Sequence, residues 1–150
     1  MTTLHVAVWI SWNWWVLTLI PVAWLLQNCV HEGSHLIVAL LTQGRKPTGF
    51  YPYPHMHAGR FHFARFTCGV QRWGNISFAP TLIAPFFAGI LMLITMLGIK
   101  PLFAPEHQIF LAPFGVAGFI DAAWWLRGMR WGSEGCDGKR FKEEMRKSHV

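Results

Sequence analysis

Pro21-Val22-Ala23-Trp24-Leu25-Leu26-Gln27-Asn28-Cys29-Val30-His31-Glu32-Gly33-Ser34-His35-Leu36-Ile37-Val38-Ala39-Leu40-Leu41 is an apolar run of helix length with an H-E-x-x-H pattern at its centre. On a helix, residues at i and i+4 project from nearly the same face, so the imidazoles of His31 and His35 can hold one metal ion, with Glu32 beside them. A chain of this composition shows the pattern by chance in about one case in a hundred, so the surroundings must decide what it means. No Lys or Arg occurs between Met1 and Gly44. Two imidazoles and a carboxylate in such a segment are costly to place in hydrocarbon, and groups of this kind are usually paired, metal-bound or turned to a wet cavity. A soluble core helix with satisfied polar groups is the weaker reading.

Composition supports the membrane. The 150 residues have room for one domain, 53% of them are apolar, and only 13% are charged, about half the usual share. Nine Trp and twelve Phe suit a membrane interface. Met1-Thr2-Thr3-Leu4-His5 lacks the basic start of a secretory signal, so residues 1–42 are expected to be retained. Cys29, Cys68 and Cys136 are widely spaced with no C-x-x-C, which indicates neither a disulfide framework nor a thiolate zinc site. Cys29 reads as a small buried apolar residue.

The expected fold is an all-α integral membrane protein with about three transmembrane helices. The first, over Val6 to Thr42, is too long for one straight crossing and is expected to kink near Pro21, with Trp12, Trp14 and Trp15 at the outer interface. Residues 43–78 are rich in Gly and Pro, which excludes a long helix. Within them Arg60-Phe61-His62-Phe63 alternates and Ala64 to Cys68 slips out of phase, the pattern of a short hairpin with a bulged strand. Such a strand could pair with an extended peptide, and a surface loop with aromatic anchors fits equally well.

The second span is Ala79 to Gly98 and the third runs from about His107 to Leu126. The third contains Asp121, an ionisable residue whose natural partner is a metal held by the two histidines, with a structural pairing to Arg127 or Trp indoles as the alternative. Gly118 and Ala122 form a small-xxx-small pair that allows close helix approach. The expected organisation is one membrane-embedded domain, 1–127, and a basic cytoplasmic tail, 128–150, lying on anionic lipid. No nucleotide loop or nucleic-acid module accompanies the net charge of +6, so nucleic acid is not an expected partner.

Charge asymmetry orients the spans. Twelve of the thirteen basic residues fall on the side of the 43–78 loop and the tail, and Lys100 alone falls on the other, so the N-terminus is expected outside and the C-terminus inside a prokaryotic cytoplasmic membrane. His35 and Asp121 then both lie roughly 10–15 Å inside the cytoplasmic boundary, at matching depth on parallel helices.

These residues resemble the intramembrane metalloproteases of the site-2 protease type, and within them the small, compact zincin peptidases. The likeness covers about residues 20–127 in order and spacing. It implies His31 and His35 as paired Zn²⁺ ligands, Glu32 as the general base, Asp121 as the third ligand, and a membrane protein or peptide as substrate. Around Asp121 the family pattern is imperfect, since Phe119-Ile120 precede it and Ala122 follows it. The expected function is hydrolysis of an intramembrane or membrane-proximal peptide bond by metal-bound water that Glu32 activates. Three alternatives stand beside it: a membrane metal-binding or transport protein that also uses His55, His57 and His62, with Met56 favouring copper; a catalytically inactive homologue that binds peptides; and a protease whose third ligand is His62 or Glu106.

Overall fold

The computed structural model describes residues 14–43, 47–62, 64–68, 79–105, 107–132 and 136–147. Trp12 and Glu106, which entered the expectations above, lie outside them. Among the described residues four α-helices carry the fold: α1 (Leu19–Gln43), α2 (Ala79–Ile99), α3 (Ala112–Trp131) and α4 (Asp137–Lys147). Between α1 and α2 lie four short strands, β1 (Pro47–Tyr51), β2 (His55–His57), β3 (Arg60–His62) and β4 (Arg65–Cys68).

Pro21 sits in the first turn of α1, which follows directly on a 3-10 segment over Trp14–Thr18. A first-turn N–H has no intrahelical acceptor in any case, so proline is tolerated there. Residues 6–13 of the expected first helix lie outside the described residues.

Among the described residues, two stretches are long and apolar enough to cross a membrane, Ala79–Leu102 and Gln108–Trp131, rather than the three expected. The helix α1 has the length, but Gln27, Asn28, His31, Glu32, Ser34 and His35 dilute its apolar character. Those polar groups are not spread evenly. Ala23, Gln27, His31, His35 and Ala39, spaced by four, line the face turned into the bundle, while Ile20, Val22, Leu25, Leu26, Ile37, Leu40 and Leu41 stay exposed. The helices α2 and α3 repeat this inversion. Their buried positions are mainly Ala, Gly and Thr, and Phe87, Leu91, Ile94, Leu97, Phe119, Ile120 and Trp124 face outward. Small residues inside and large apolar residues outside is the packing expected where the surroundings are lipid.

The helices α2 and α3 approach each other closely. A Cβ on Gly89 would lie 2.8 Å from the Gly118 carbonyl oxygen, and one on Gly118 would lie 2.7 Å from that of Gly89. The small-residue pair Gly118/Ala122 therefore does bring helices together, but its partner is α2 and not the motif helix. The amphipathic α4 returns against the end of α3: a Cβ on Gly138 would collide with the Trp125 carbonyl oxygen, and one on Gly128 with Cys136 Sγ.

The strands form a hairpin in two storeys. The strands β2 and β3 pair antiparallel at the tip, and β1 and β4 pair antiparallel at the base. Ala58 and Gly59 join β2 to β3 with φ of 49° and 73°, the left-handed pair that a two-residue type I′ turn requires. The slip in alternation near Ala64 is a break between β3 and β4, and the irregularity in register lies at the far end of the β1/β4 ladder, between Pro47 and Gly49 opposite Cys68 and Thr67.

Candidate metal centre

The inner face of α1 presents His31 and His35 one turn apart, with ring centroids 5.2 Å from each other. Each imidazole is held at Nδ1. His31 Nδ1–H donates to the Asp121 carboxylate on α3, at 2.9 and 3.0 Å to its two oxygens. His35 Nδ1–H donates to the Thr81 carbonyl on α2 at 2.7 Å.

The Thr81 carbonyl is available because of Pro85. In a regular helix that oxygen would accept the N–H of residue 85, and proline has none. Pro85 is fully buried within α2. The sequence thus removes one backbone donor from α2 and supplies a histidine in its place.

With both Nδ1 atoms engaged, the two Nε2 atoms face a common point, and Asp137 meets them there. Its Oδ2 lies 3.2 Å from His31 Nε2 and 3.2 Å from His35 Nε2. Ligand atoms of His31, His35 and Asp137 all lie within 4.8 Å of one another. A tetrahedral ion with bonds of ~2.0–2.1 Å separates its ligand atoms by about 3.3–3.4 Å, so these spacings suit an ion placed between them. Each histidine also has the outer hydrogen bond that normally fixes the tautomer of a metal ligand. The cluster is capable of coordinating a divalent metal ion.

Asp137 stands in the first turn of α4, and Arg140 approaches its other oxygen at 3.8 Å. Burial pushes its carboxyl pKa up, but the hydrogen bonds and charges of His31 and His35 outweigh this and hold it well below the usual carboxylate range. Asp121, expected at the metal, is placed on the opposite side of His31. Its carboxylate accepts His31 Nδ1–H and, at 2.8 Å, the Gln27 side-chain amide.

The expected role of Glu32 requires correction. Peptide hydrolysis by a metal-bound water activated at Glu32 needs that carboxylate at the cluster, and the converging atoms belong to His31, His35 and Asp137 without it. Glu32 is instead packed into the bundle at 7% exposure. The hydrolytic reading is therefore withdrawn in favour of metal binding. The hairpin histidines His55, His57 and His62 share one face of β2 and β3, where His55 and His62 stack with centroids 5.7 Å apart, and they contribute nothing to the cluster.

Asp137, Gln27 and Thr81 are the site residues that sequence reasoning missed. Nothing local marks Asp137, which follows the stretch Gly132 to Cys136, small but for Glu134, in a tail that holds other acids. No family model, curated protein or solved structure matches the chain. The resemblance to the site-2 proteases thus rests on motif and helix order alone, and what stands of it is a compact His/His/Asp cluster.

Proposed function

We propose that this protein is a membrane-resident metal-binding protein, with His31, His35 and Asp137 as ligands and zinc as the preferred ion. The observation that carries the reading is the common point faced by His31 Nε2, His35 Nε2 and Asp137 Oδ2. Two imidazoles and one carboxylate form a borderline donor set that suits Zn²⁺ better than a thiol-seeking ion such as Cu⁺. A Zn²⁺ ion bound there would supply a Lewis-acidic centre with a fourth position open to a small donor. Asp121 and the Thr81 carbonyl act as positioning groups that keep both Nε2 lone pairs directed at the ion.

Membrane residence is supported by the outward apolar faces of α1, α2 and α3. In this reading α1 is a third crossing whose polar groups are tolerated because they face the bundle. The N-terminus is outside, the C-terminus is inside, and the site lies near the cytoplasmic leaflet. Gln27 Oε1 and Asn28 Nδ2, about one turn from His31, are buried without hydrogen-bond partners among the described residues. They supply polar footing along the same face for water or an ion approaching the site.

The test is metal content and affinity of the full chain in detergent. One zinc per chain is expected, with His31→Ala, His35→Ala and Asp137→Asn each weakening binding by more than the ~100-fold upper range for outer-shell changes. A wild-type chain that takes up no stoichiometric metal sinks the proposal. If Asp121→Asn abolishes binding while Asp137→Asn leaves it intact, the third ligand is Asp121.

A further inference from the structure

The C-terminal end of α3 and one face of α4 enclose a second feature, a groove of about 700 Å³ lined by Leu126, Met129, Arg130, Phe141, Lys142, Met145 and Arg146. Its floor is apolar and its three polar lining residues are all cationic. On α4 the lining positions 141, 142, 145 and 146 form a continuous stripe along one side of the helix. On α3 they fall in the last turns of a stretch long enough to cross a bilayer, where a headgroup region would begin.

We infer that this groove binds one anionic glycerophospholipid, with an acyl chain over Leu126, Met129, Phe141 and Met145 and the headgroup phosphate among Arg130, Lys142 and Arg146. Charge complementarity and depth select this occupant. A zwitterionic lipid carries no net charge to match three cations, and a free anion has nothing to place on the apolar floor. Arg130 lies 5.0 Å from the centroid of Trp131, an arrangement that holds a guanidinium at the level where aromatic rings settle in membranes. The remaining lining cations follow one another by a helical turn on α4, so both reach the same headgroup.

The inference rests on the membrane reading above but not on the metal. The full chain, metal-free in neutral detergent, is titrated with phosphatidylglycerol and with phosphatidylcholine of equal chain length, and bound lipid is counted by native mass spectrometry. At about fivefold per basic residue near an anionic group, phosphatidylglycerol should be preferred by at least about tenfold. Arg130→Gln/Lys142→Gln/Arg146→Gln should abolish the preference. Met145→Gln should weaken both lipids, and Lys139→Gln/Lys147→Gln, outside the groove, should leave the preference intact.

Equal binding of the two lipids overturns the inference. So does an equal loss of preference in the Lys139/Lys147 variant, which would indicate diffuse charge, and so does full displacement of the lipid by inorganic phosphate, which would leave the apolar floor without a role. A chain that fractionates with soluble protein before any detergent is added overturns the membrane reading as well. A membrane-extracted chain with no headgroup preference overturns the groove alone.

Discussion

Pro85 and His35 illustrate how one residue's deficit becomes another's position. Proline removes the N–H that Thr81 would have accepted, and His35 Nδ1–H takes the place at 2.7 Å. Pro85→Ala restores a competing donor inside α2. It should lower zinc affinity by about 10-fold, in the range of outer-shell effects, while helicity holds or rises; unchanged affinity would show that Thr81 does not orient the ring. Asp121→Asn tests the other histidine. Asparagine keeps an oxygen for His31 Nδ1–H but loses the charge that raises imidazole basicity, so a loss of about 10-fold is expected, well short of removing a ligand. His31 and His35 were legible in the sequence because their relation is local, a fixed i, i+4 offset on one helix. Asp121 was legible because a carboxylate in an apolar span is conspicuous. Asp137 was not, because in a tail that already holds Glu134, Glu143 and Glu144 one more acid carries no signal.

At the scale of elements, two glycine contacts set where the ligands stand. The Gly89/Gly118 crossing fixes α2 against α3, so the Thr81 carbonyl and Asp121 reach the motif helix from a single rigid pair. Gly118→Leu would force these backbones apart at a cost of about 1–3 kcal/mol or more. A lowered thermal midpoint together with weaker zinc binding is the expected result. Gly138 acts differently, because it seats α4 on α3 beside Trp125. Gly138→Val should displace Asp137 and weaken zinc binding towards the level of Asp137→Asn, with little loss of stability in the three longer helices. Zinc affinity equal to wild type in that variant would mean that Asp137 reaches the site without the seat. The sequence marked Gly118 and Ala122 as a close-approach pair but could not name the partner, since a small-residue stripe records the distance of approach and not the identity of the neighbouring helix. The turn at Ala58-Gly59 was hidden for a similar reason, because alanine is seldom found at positive φ and gives no turn signal.

For the whole molecule, α4 is the element that joins two chemistries. Its first turn carries Asp137 to the histidines, and its next two turns line the basic groove. A lipid that holds α4 against α3 thereby holds the third ligand in place, and by linkage the bound ion must favour lipid by the same factor. Zinc affinity measured in nanodiscs should therefore be higher with phosphatidylglycerol than with phosphatidylcholine. Part of that rise is trivial, because a surface potential of about −30 mV concentrates a divalent cation roughly tenfold. The trivial part persists when Arg130, Lys142 and Arg146 are replaced by Gln, so the coupling is what the wild type gains beyond this variant, at least about fivefold for a typical linked pair. Asp137→Asn should lose that excess while keeping its preference for the anionic lipid, since it removes the ligand and leaves the groove. Identical lipid dependence in the wild type and the triple variant would separate the two sites and leave α4 as a lipid anchor that happens to carry a metal ligand.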